Sequence, residues 1–189
     1  MVILAANMQE YFREALTLAM RRSKSALSEE LQAYLVYLLT DFARSEKVYA
    51  GVNTGEQPIL VLLLERALES PQPEANRIFK QIGDSTLYLS GFFGEKAQAT
   101  GVSNSYYFAM GGDAYLRLAQ NTRLPIYHEL SETFTRLVFL LRQVSLAHKT
   151  GTSEEILSWI EQYKTSKNPE LQVLLAQNGV LLKDEDPTC

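Results

Sequence analysis

The chain has 189 residues, a length that suits one domain and allows a buried core without support from disulfides or metals. Its 18 Lys and Arg residues and 22 Asp and Glu residues give a net charge of -4, and no basic stripe favours a nucleic-acid partner. The single cysteine, Cys189, excludes a disulfide framework and favours a reducing compartment.

No part of the sequence predicts membrane insertion. The N-terminal segment MVILAANMQE lacks the basic and apolar regions of a signal peptide. The longest uninterrupted apolar run, residues 59–64, is far shorter than the roughly 20 residues that cross a bilayer. We therefore predict a cytoplasmic protein with no membrane partner.

Helical periodicity begins near the N-terminus and predicts an all-α fold. Asn7 and Glu10 fit a capping box for a first helix that ends near Arg22. Its predicted inward face consists of Met8, Tyr11, Ala15 and Leu18. Ser28 begins a second helix, in which apolar residues recur at helical spacing from Leu31 to Phe42.

Residues 44–57 are predicted to form a loop, after which Pro58 opens a third helix, PILVLLLERALES. Its six consecutive apolar residues predict burial on nearly every side. A buried strand over residues 59–64 is the alternative, although ERALES continues the helical register. Pro71 and Pro73 lead into a fourth helix, from about Glu74 to Phe92, which Gly83 either divides or leaves continuous.

Residues 103–120 form the predicted fifth helix, with two adjacent glycines at its centre. A sixth helix runs from about Pro125 to His148, and its apolar stripe comprises Tyr127, Leu130, Phe134, Leu137, Leu141 and Val144. A capping box at Thr152 and Glu155 opens a seventh helix, and Asn168 opens an eighth that ends at Gly179. The sequence thus predicts a single-domain bundle of about eight helices over residues 1–183, followed by a frayed acidic tail, 184–189.

Signatures of familiar catalytic sites are absent from the sequence, which favours a protein without enzymatic activity and without a cofactor. His128 and His148 lie about 30 Å apart along one helix and so cannot share a metal ion. A surface pair with Glu132 is the favoured role for His128, and a haem-ligand role for either histidine stays open.

The candidate ligand-binding residues cluster around the glycine pair, where five of the ten tyrosines lie between residues 88 and 127. Two interpretations remain open. The glycines let a neighbouring helix approach closely, or their missing side chains leave room for a ligand between the fourth and fifth helices. For the second interpretation, the candidate residues are Asp84, Tyr88, Tyr106, Tyr107, Gly111, Gly112 and Asp113.

Four blocks of the sequence resemble an uncharacterised bacterial family of all-helical proteins. The blocks are YFREALTLAM, LQAYLVYLLTDFAR, GDSTLYLSGFF and YYFAMGGDAYLRLA, which extend from residue 11 to residue 119. The resemblance implies a single-domain helical bundle, and it implies no activity. An acidic residue commonly precedes the tyrosine pair in that family, and Ser105 stands there in this chain. This departure makes a carboxylate-based site less favoured.

Two functions follow as hypotheses. The first is a helical adaptor or regulatory module that binds another protein or a second copy of itself. The alternative is a small-molecule-binding protein that uses the candidate residues, and an enzyme is the less favoured form of this alternative.

Overall fold

A computed structural model describes residues 5–44, 58–92, 104–146 and 153–180. Within these ranges all regular structure is α-helical, which confirms the all-α, multi-helix fold class. The eight helices are α1 (Ala5–Ser23), α2 (Glu29–Arg44), α3 (Pro58–Glu69), α4 (Gln72–Phe92), α5 (Asn104–Thr122), α6 (Pro125–Leu146), α7 (Ser153–Ser166) and α8 (Pro169–Gln177).

The chain divides into two compact units. Unit 1, Met1–Val144, contains α1 to α5 and nearly all of α6, whereas unit 2, Ser145–Cys189, contains α7 and α8. The assignment of residues 1–183 to a single domain stays a prediction. The predicted acidic tail, His148 and Cys189 lie outside the described residues.

The core of unit 1 is formed mainly by α1, α2, α4, α5 and α6. The predicted stripe of α6 is confirmed, because five of its six residues are buried and Tyr127 packs against them half-buried. Helices α4 and α5 make an extensive contact with each other. Helix α4 is continuous through Gly83, which decides between the two alternatives left open by the sequence.

The first helix differs from its prediction in both its start and its inward face. Because α1 begins at Ala5, Asn7 lies inside the helix and the predicted capping box is wrong. Of the predicted inward residues, Ala15 is buried and Met8 packs partly buried against the core, whereas Tyr11 and Leu18 are exposed. Phe12, Leu16 and Ala19 complete the buried stripe. Both stripes have helical spacing, and only the packing against neighbouring helices selects one of them.

Helix α3 also departs from its prediction. Residues 59–64 are helical, which confirms the favoured helix and excludes the alternative of a buried strand. Its expected burial on nearly every side is wrong, because Val61, Leu62 and Leu68 are exposed. Among the described residues α3 packs mainly against α4, and the side that carries Val61, Leu62 and Leu68 stays exposed.

Other helix ends follow local signals. Ser28 accepts a hydrogen bond at its Oγ from the Leu31 amide at 3.1 Å, and Asn168 caps α8 by accepting from the Glu170 amide at 2.9 Å. Gly179 has φ +80, so the predicted left-handed end of α8 is confirmed. In unit 2, Trp159 of α7 packs in one apolar cluster with Leu171, Leu174 and Leu175 of α8, and Val180 packs against it.

Candidate functional site

Asp84 lies at the centre of a polar cluster that joins helices from distant parts of the sequence. Tyr34 of α2 and Tyr115 of α5 each donate a hydroxyl hydrogen bond to Asp84 Oδ1, at 2.5 and 2.7 Å. Lys80, one turn earlier on α4, donates from Nζ to Asp84 Oδ2 at 2.5 Å. These four residues and Tyr127 of α6 are called the Asp84 cluster.

Aromatic rings enclose the carboxylate of this cluster. The Tyr34 and Tyr115 rings meet edge to face with their centroids 6.4 Å apart, and the Tyr127 ring stacks on that of Tyr115 at the same centroid distance. The Lys80 ammonium lies 5.2 Å from the centroid of the Tyr34 ring. The Asp84 side chain consequently retains only 15% of its exposure to solvent.

Burial and charge hold both hydrogen-bonded phenols in their protonated form. Burial raises the pKa of Tyr34, and the negative charge of Asp84 raises this pKa further. Burial likewise raises the pKa of Tyr115 well above its ordinary value, again with a contribution from Asp84. Both tyrosines therefore act as hydrogen-bond donors at neutral pH.

The hydrogen bonds of the Asp84 cluster leave the carboxylate with little capacity for another partner. An ionised carboxylate offers about four acceptor positions, and Tyr34, Lys80 and Tyr115 use three of them. The geometry therefore favours a role for Asp84 in joining α2, α4 and α5.

The glycine pair of α5 marks a close approach between helices. A Cβ on Gly111 would lie 2.2 Å from Phe134 Cζ of α6 and 2.4 Å from Thr86 Oγ1 of α4. At Gly112 the nearest atoms would be 3.9 Å away, and its carbonyl accepts a hydrogen bond from Ser131 Oγ at 2.9 Å. Gly111 thus fits the packing interpretation, since only a residue without a side chain leaves room for both neighbours.

A second close approach lies within the Asp84 cluster itself. A Cβ on Gly83 of α4 would lie 2.7 Å from Tyr115 Cε1. The Tyr115 ring therefore rests directly on the backbone of α4, one residue before Asp84. This contact explains how the hydroxyl of a residue on α5 reaches a carboxylate on α4.

The remaining candidate residues from the sequence lie outside the Asp84 cluster. Tyr88 is 7% exposed, and its ring stacks on Phe42 and Phe92 with centroid distances of 4.4 and 5.1 Å. Asp113 forms an ion pair with Arg117 at 2.7 Å on the surface of α5.

The adjacent tyrosines of α5 contact each other. The rings of Tyr106 and Tyr107 meet edge to face at 6.0 Å, and Tyr106 is 39% exposed. Burial raises the pKa of Tyr107, and Tyr106 adds a smaller effect. Of the seven candidates, Asp84 alone belongs to the Asp84 cluster, and the ligand-binding role of the set stays a prediction.

Sequence reasoning did not assign Tyr34, Lys80, Tyr115 and Tyr127 to a site. Lys80 was detectable, because it precedes Asp84 by four residues and such pairs meet on one helix face. Tyr34 carries no comparable local signal, since it lies 50 residues before Asp84 in the chain. Its partner is set by the packing of α2 against α4.

An apolar surface of unit 1 lies on α3, on the side opposite its buried residue Ala67. Val61 is 49% exposed, Leu62 58% and Leu68 59%. Two exposed carboxylates lie on the same side of the helix, and we define the α3 face as Val61, Leu62, Glu65, Leu68 and Glu69. Its members recur at spacings of three and four residues, so they form one continuous stripe.

A surface groove of about 480 Å³ lies where α5 ends and α6 begins. On its rim, His128 Nδ1 lies 3.3 Å from Glu132 Oε2, so the predicted surface pair is confirmed. The groove is lined by Leu116, Ala119, Gln120, Arg123, Leu124, Pro125, His128, Glu129 and Glu132.

Within the described ranges, no group of three or more His, Cys, Asp or Glu residues is arranged to hold a metal ion. None of the helices in those ranges combines the length and apolar composition needed to cross a membrane. Comparison of the chain with known protein families, with curated proteins and with solved structures found no match. The resemblance to an uncharacterised bacterial family therefore stays an expectation from the sequence.

Proposed function

We propose that this protein is a non-enzymatic interaction module, a helical adaptor or regulatory subunit that binds another protein through the α3 face. The observation that carries the proposal is the exposure of Val61, Leu62 and Leu68 on one side of a single helix. Isolated exposed apolar residues are common on protein surfaces, whereas several that cluster on one side of a helix favour an interaction site. Complete burial of such a side chain contributes about 1.5–3 kcal/mol, and about half of that is still to be gained here because the three side chains are already about half covered.

The state of the Asp84 cluster supports the non-enzymatic part of the proposal. Its carboxylate and its two hydrogen-bonded phenols are engaged with one another, and both phenols are largely removed from solvent. Polar groups that satisfy one another inside a fold contribute to its specificity. A carboxylate held by three donors in this way is less available to act on a bound substrate.

A photo-cross-linking residue placed at position 62 tests this proposal in living cells that express the chain. The matched control places the same residue at position 37, because Tyr37 of α2 is 60% exposed and lies outside the α3 face. We expect a discrete adduct from position 62, with a partner identified by mass spectrometry, and a much weaker one from position 37. Equal labelling from both positions would contradict the proposal.

Small-molecule binding is the second candidate function, and the groove between α5 and α6 supports it. Its volume of about 480 Å³ falls within the range of ligand sites, and it combines the exposed Leu116 and Leu124 with charged side chains. A thermal-shift screen with metabolites tests this function, because a ligand at 100 times its Kd stabilises the fold by about 2.7 kcal/mol.

Two variants tell the groove from the site predicted by the sequence. Leu116→Ser should abolish a shift that arises in the groove. The Tyr107→Phe, Asp113→Asn variant should abolish a shift that arises at the candidate residues of α5. A thermal shift that neither variant changes would exclude both sites as the place where that ligand binds. A screen in which no metabolite shifts the melting temperature would contradict small-molecule binding as the function.

A further inference from the structure

We infer that the occupant of the α3 face is an amphipathic helix of another protein that carries Lys or Arg beside its apolar stripe, and that a second copy of this chain does not bind there. The inference rests on the proposed function and specifies its partner. It is carried by the charges that accompany the exposed aliphatic side chains.

The charges of the α3 face are negative and unpaired. Glu65 and Glu69 are exposed, and neither has an ion-pair partner among the described residues. The single cation of α3 is Arg66, whose Nη2 already pairs with Glu74 Oε1 of α4 at 2.5 Å. Two uncompensated carboxylates thus lie within the apolar stripe.

This arrangement fits a helix as the occupant. Val61, Glu65 and Leu68 follow the spacing i, i+4, i+7, and Leu62 and Glu69 follow i, i+7 beside them. A partner helix with apolar residues at the same period packs along such a stripe, and its flanking cations reach the two carboxylates. Pairing with a basic segment therefore covers the leucines and compensates the charges in one contact.

Symmetry argues against a second copy as the occupant. In a two-fold symmetric, antiparallel pair of α3 helices, the residue at the middle of the face lies beside its own equivalent. The α3 face extends from residue 61 to residue 69, so that central residue is Glu65. Such a pair would bring two carboxylates together in an apolar contact, which is unfavourable.

Synthetic helical peptides of about 20 residues test the inference with purified full-length protein, since shorter peptides hold a helix poorly in water. The first peptide carries a leucine stripe flanked by lysines, the second replaces the lysines by glutamates, and the third keeps the lysines but replaces the leucines by serines. Affinities are measured by fluorescence anisotropy at about 50 mM and about 500 mM salt, because salt screens exposed charge pairs. We expect binding of the first peptide alone, weakened at least about tenfold at the higher salt concentration.

Charge reversal locates the binding on the chain. The Glu65→Lys, Glu69→Lys variant should lose at least about tenfold in affinity for the leucine–lysine peptide and gain affinity for the leucine–glutamate peptide. The matched control is Glu14→Lys, Glu161→Lys, which makes the same change in net charge at exposed positions of α1 and α7. The control variant should bind like the original chain.

Three results would overturn the inference. These are absence of binding, equal binding of the leucine–glutamate peptide, and a dimer in light scattering that Leu62→Ser with Leu68→Ser dissociates. The dimer would leave the α3 face as an interaction surface with a different occupant. A missing adduct at position 62 would instead contradict the proposed function itself.

Discussion

The Asp84 cluster and the α3 face reverse the usual distribution of polar and apolar side chains. The Asp84 cluster places a carboxylate and two phenols largely inside unit 1, with the partly exposed Lys80 ammonium at its edge, and each group finds a partner. The α3 face leaves three large aliphatic side chains at least about half exposed. One region is closed by its own contacts, and the other leaves three aliphatic side chains about half exposed in the part of the chain that the structure describes.

The difference shows that residue type alone does not decide which region is available for binding. Buried polar groups are tolerated when hydrogen bonds compensate their lost hydration. Exposed apolar groups have no such internal compensation, and they are stabilised when a partner covers them. The candidate residues predicted from the sequence lie in the tyrosine-rich region around Asp84 and Asp113, yet the apolar side chains of α3 are the more exposed to solvent.

The largest expected effect comes from filling the close approach at Gly111. Gly111→Ala should lower the free energy of unfolding by about 3 kcal/mol, since overpacking outweighs the gain in helix propensity. Gly112→Ala is the matched control and should be neutral or stabilise by up to about 1 kcal/mol, because its new Cβ would meet atoms only at 3.9 Å. Urea unfolding followed by circular dichroism measures both. Equal stability of the two variants would show that the helices separate easily at this point.

Removal of the central carboxylate should open the Asp84 cluster. Asp84→Ala leaves the hydroxyls of Tyr34 and Tyr115 without their acceptor, which should cost about 2 kcal/mol. Asp113→Ala removes the exposed ion pair with Arg117 and should cost less than about 0.5 kcal/mol. The same unfolding experiment compares the two variants. Similar losses of unfolding free energy in both would contradict a role of the Asp84 cluster in joining helices.

High pH should weaken the closed region through its phenols. The folded-state pKa of Tyr34 and Tyr115 lies above the ordinary value of 10.0, so above pH 10 the unfolded chain loses protons that the native state keeps. Their contribution to stability is therefore complete below pH 10 and is lost as pH rises further, by about 1.4 kcal/mol per pH unit for each phenol.

The pH effect is measured by urea unfolding between pH 9 and pH 11. The Tyr34→Phe, Tyr115→Phe variant should show a shallower loss of stability than the original chain. Tyr37→Phe, which removes an exposed phenol outside the Asp84 cluster, is the matched control. Identical slopes for the chain and the double variant would exclude the phenols as the cause.

The smallest effect on stability is expected at the α3 face. Leu62→Ser with Leu68→Ser should change the free energy of unfolding by less than about 0.5 kcal/mol for each site, as is usual for exposed positions. Leu87→Ala in α4, where the side chain is fully buried, should cost about 2–5 kcal/mol. A large loss from the serine variant would mean that this chain already covers its own leucines.

Local signals predicted many of the helices and several of their ends. Ser28 and Asn168 cap helices as expected because a capping hydrogen bond involves residues two or three positions apart. The stripe of α6 was also predictable, since its spacing admits one inward face. In α1 the predicted face is half right: Ala15 and Met8 lie against the core, whereas Tyr11 and Leu18 are exposed. The helical period alone does not distinguish them.

The sequence by itself determined that these segments are helical, because capping, periodicity and the absence of paired strand signals act over a few residues. Only the tertiary structure decided that Asp84 binds Tyr34 and Tyr115, and that α3 keeps one apolar side uncovered. The physical reason is that side-chain partners and solvent exposure depend on which helices lie next to each other. That arrangement minimises the free energy of the whole chain, and the sequence of a single helix does not determine it.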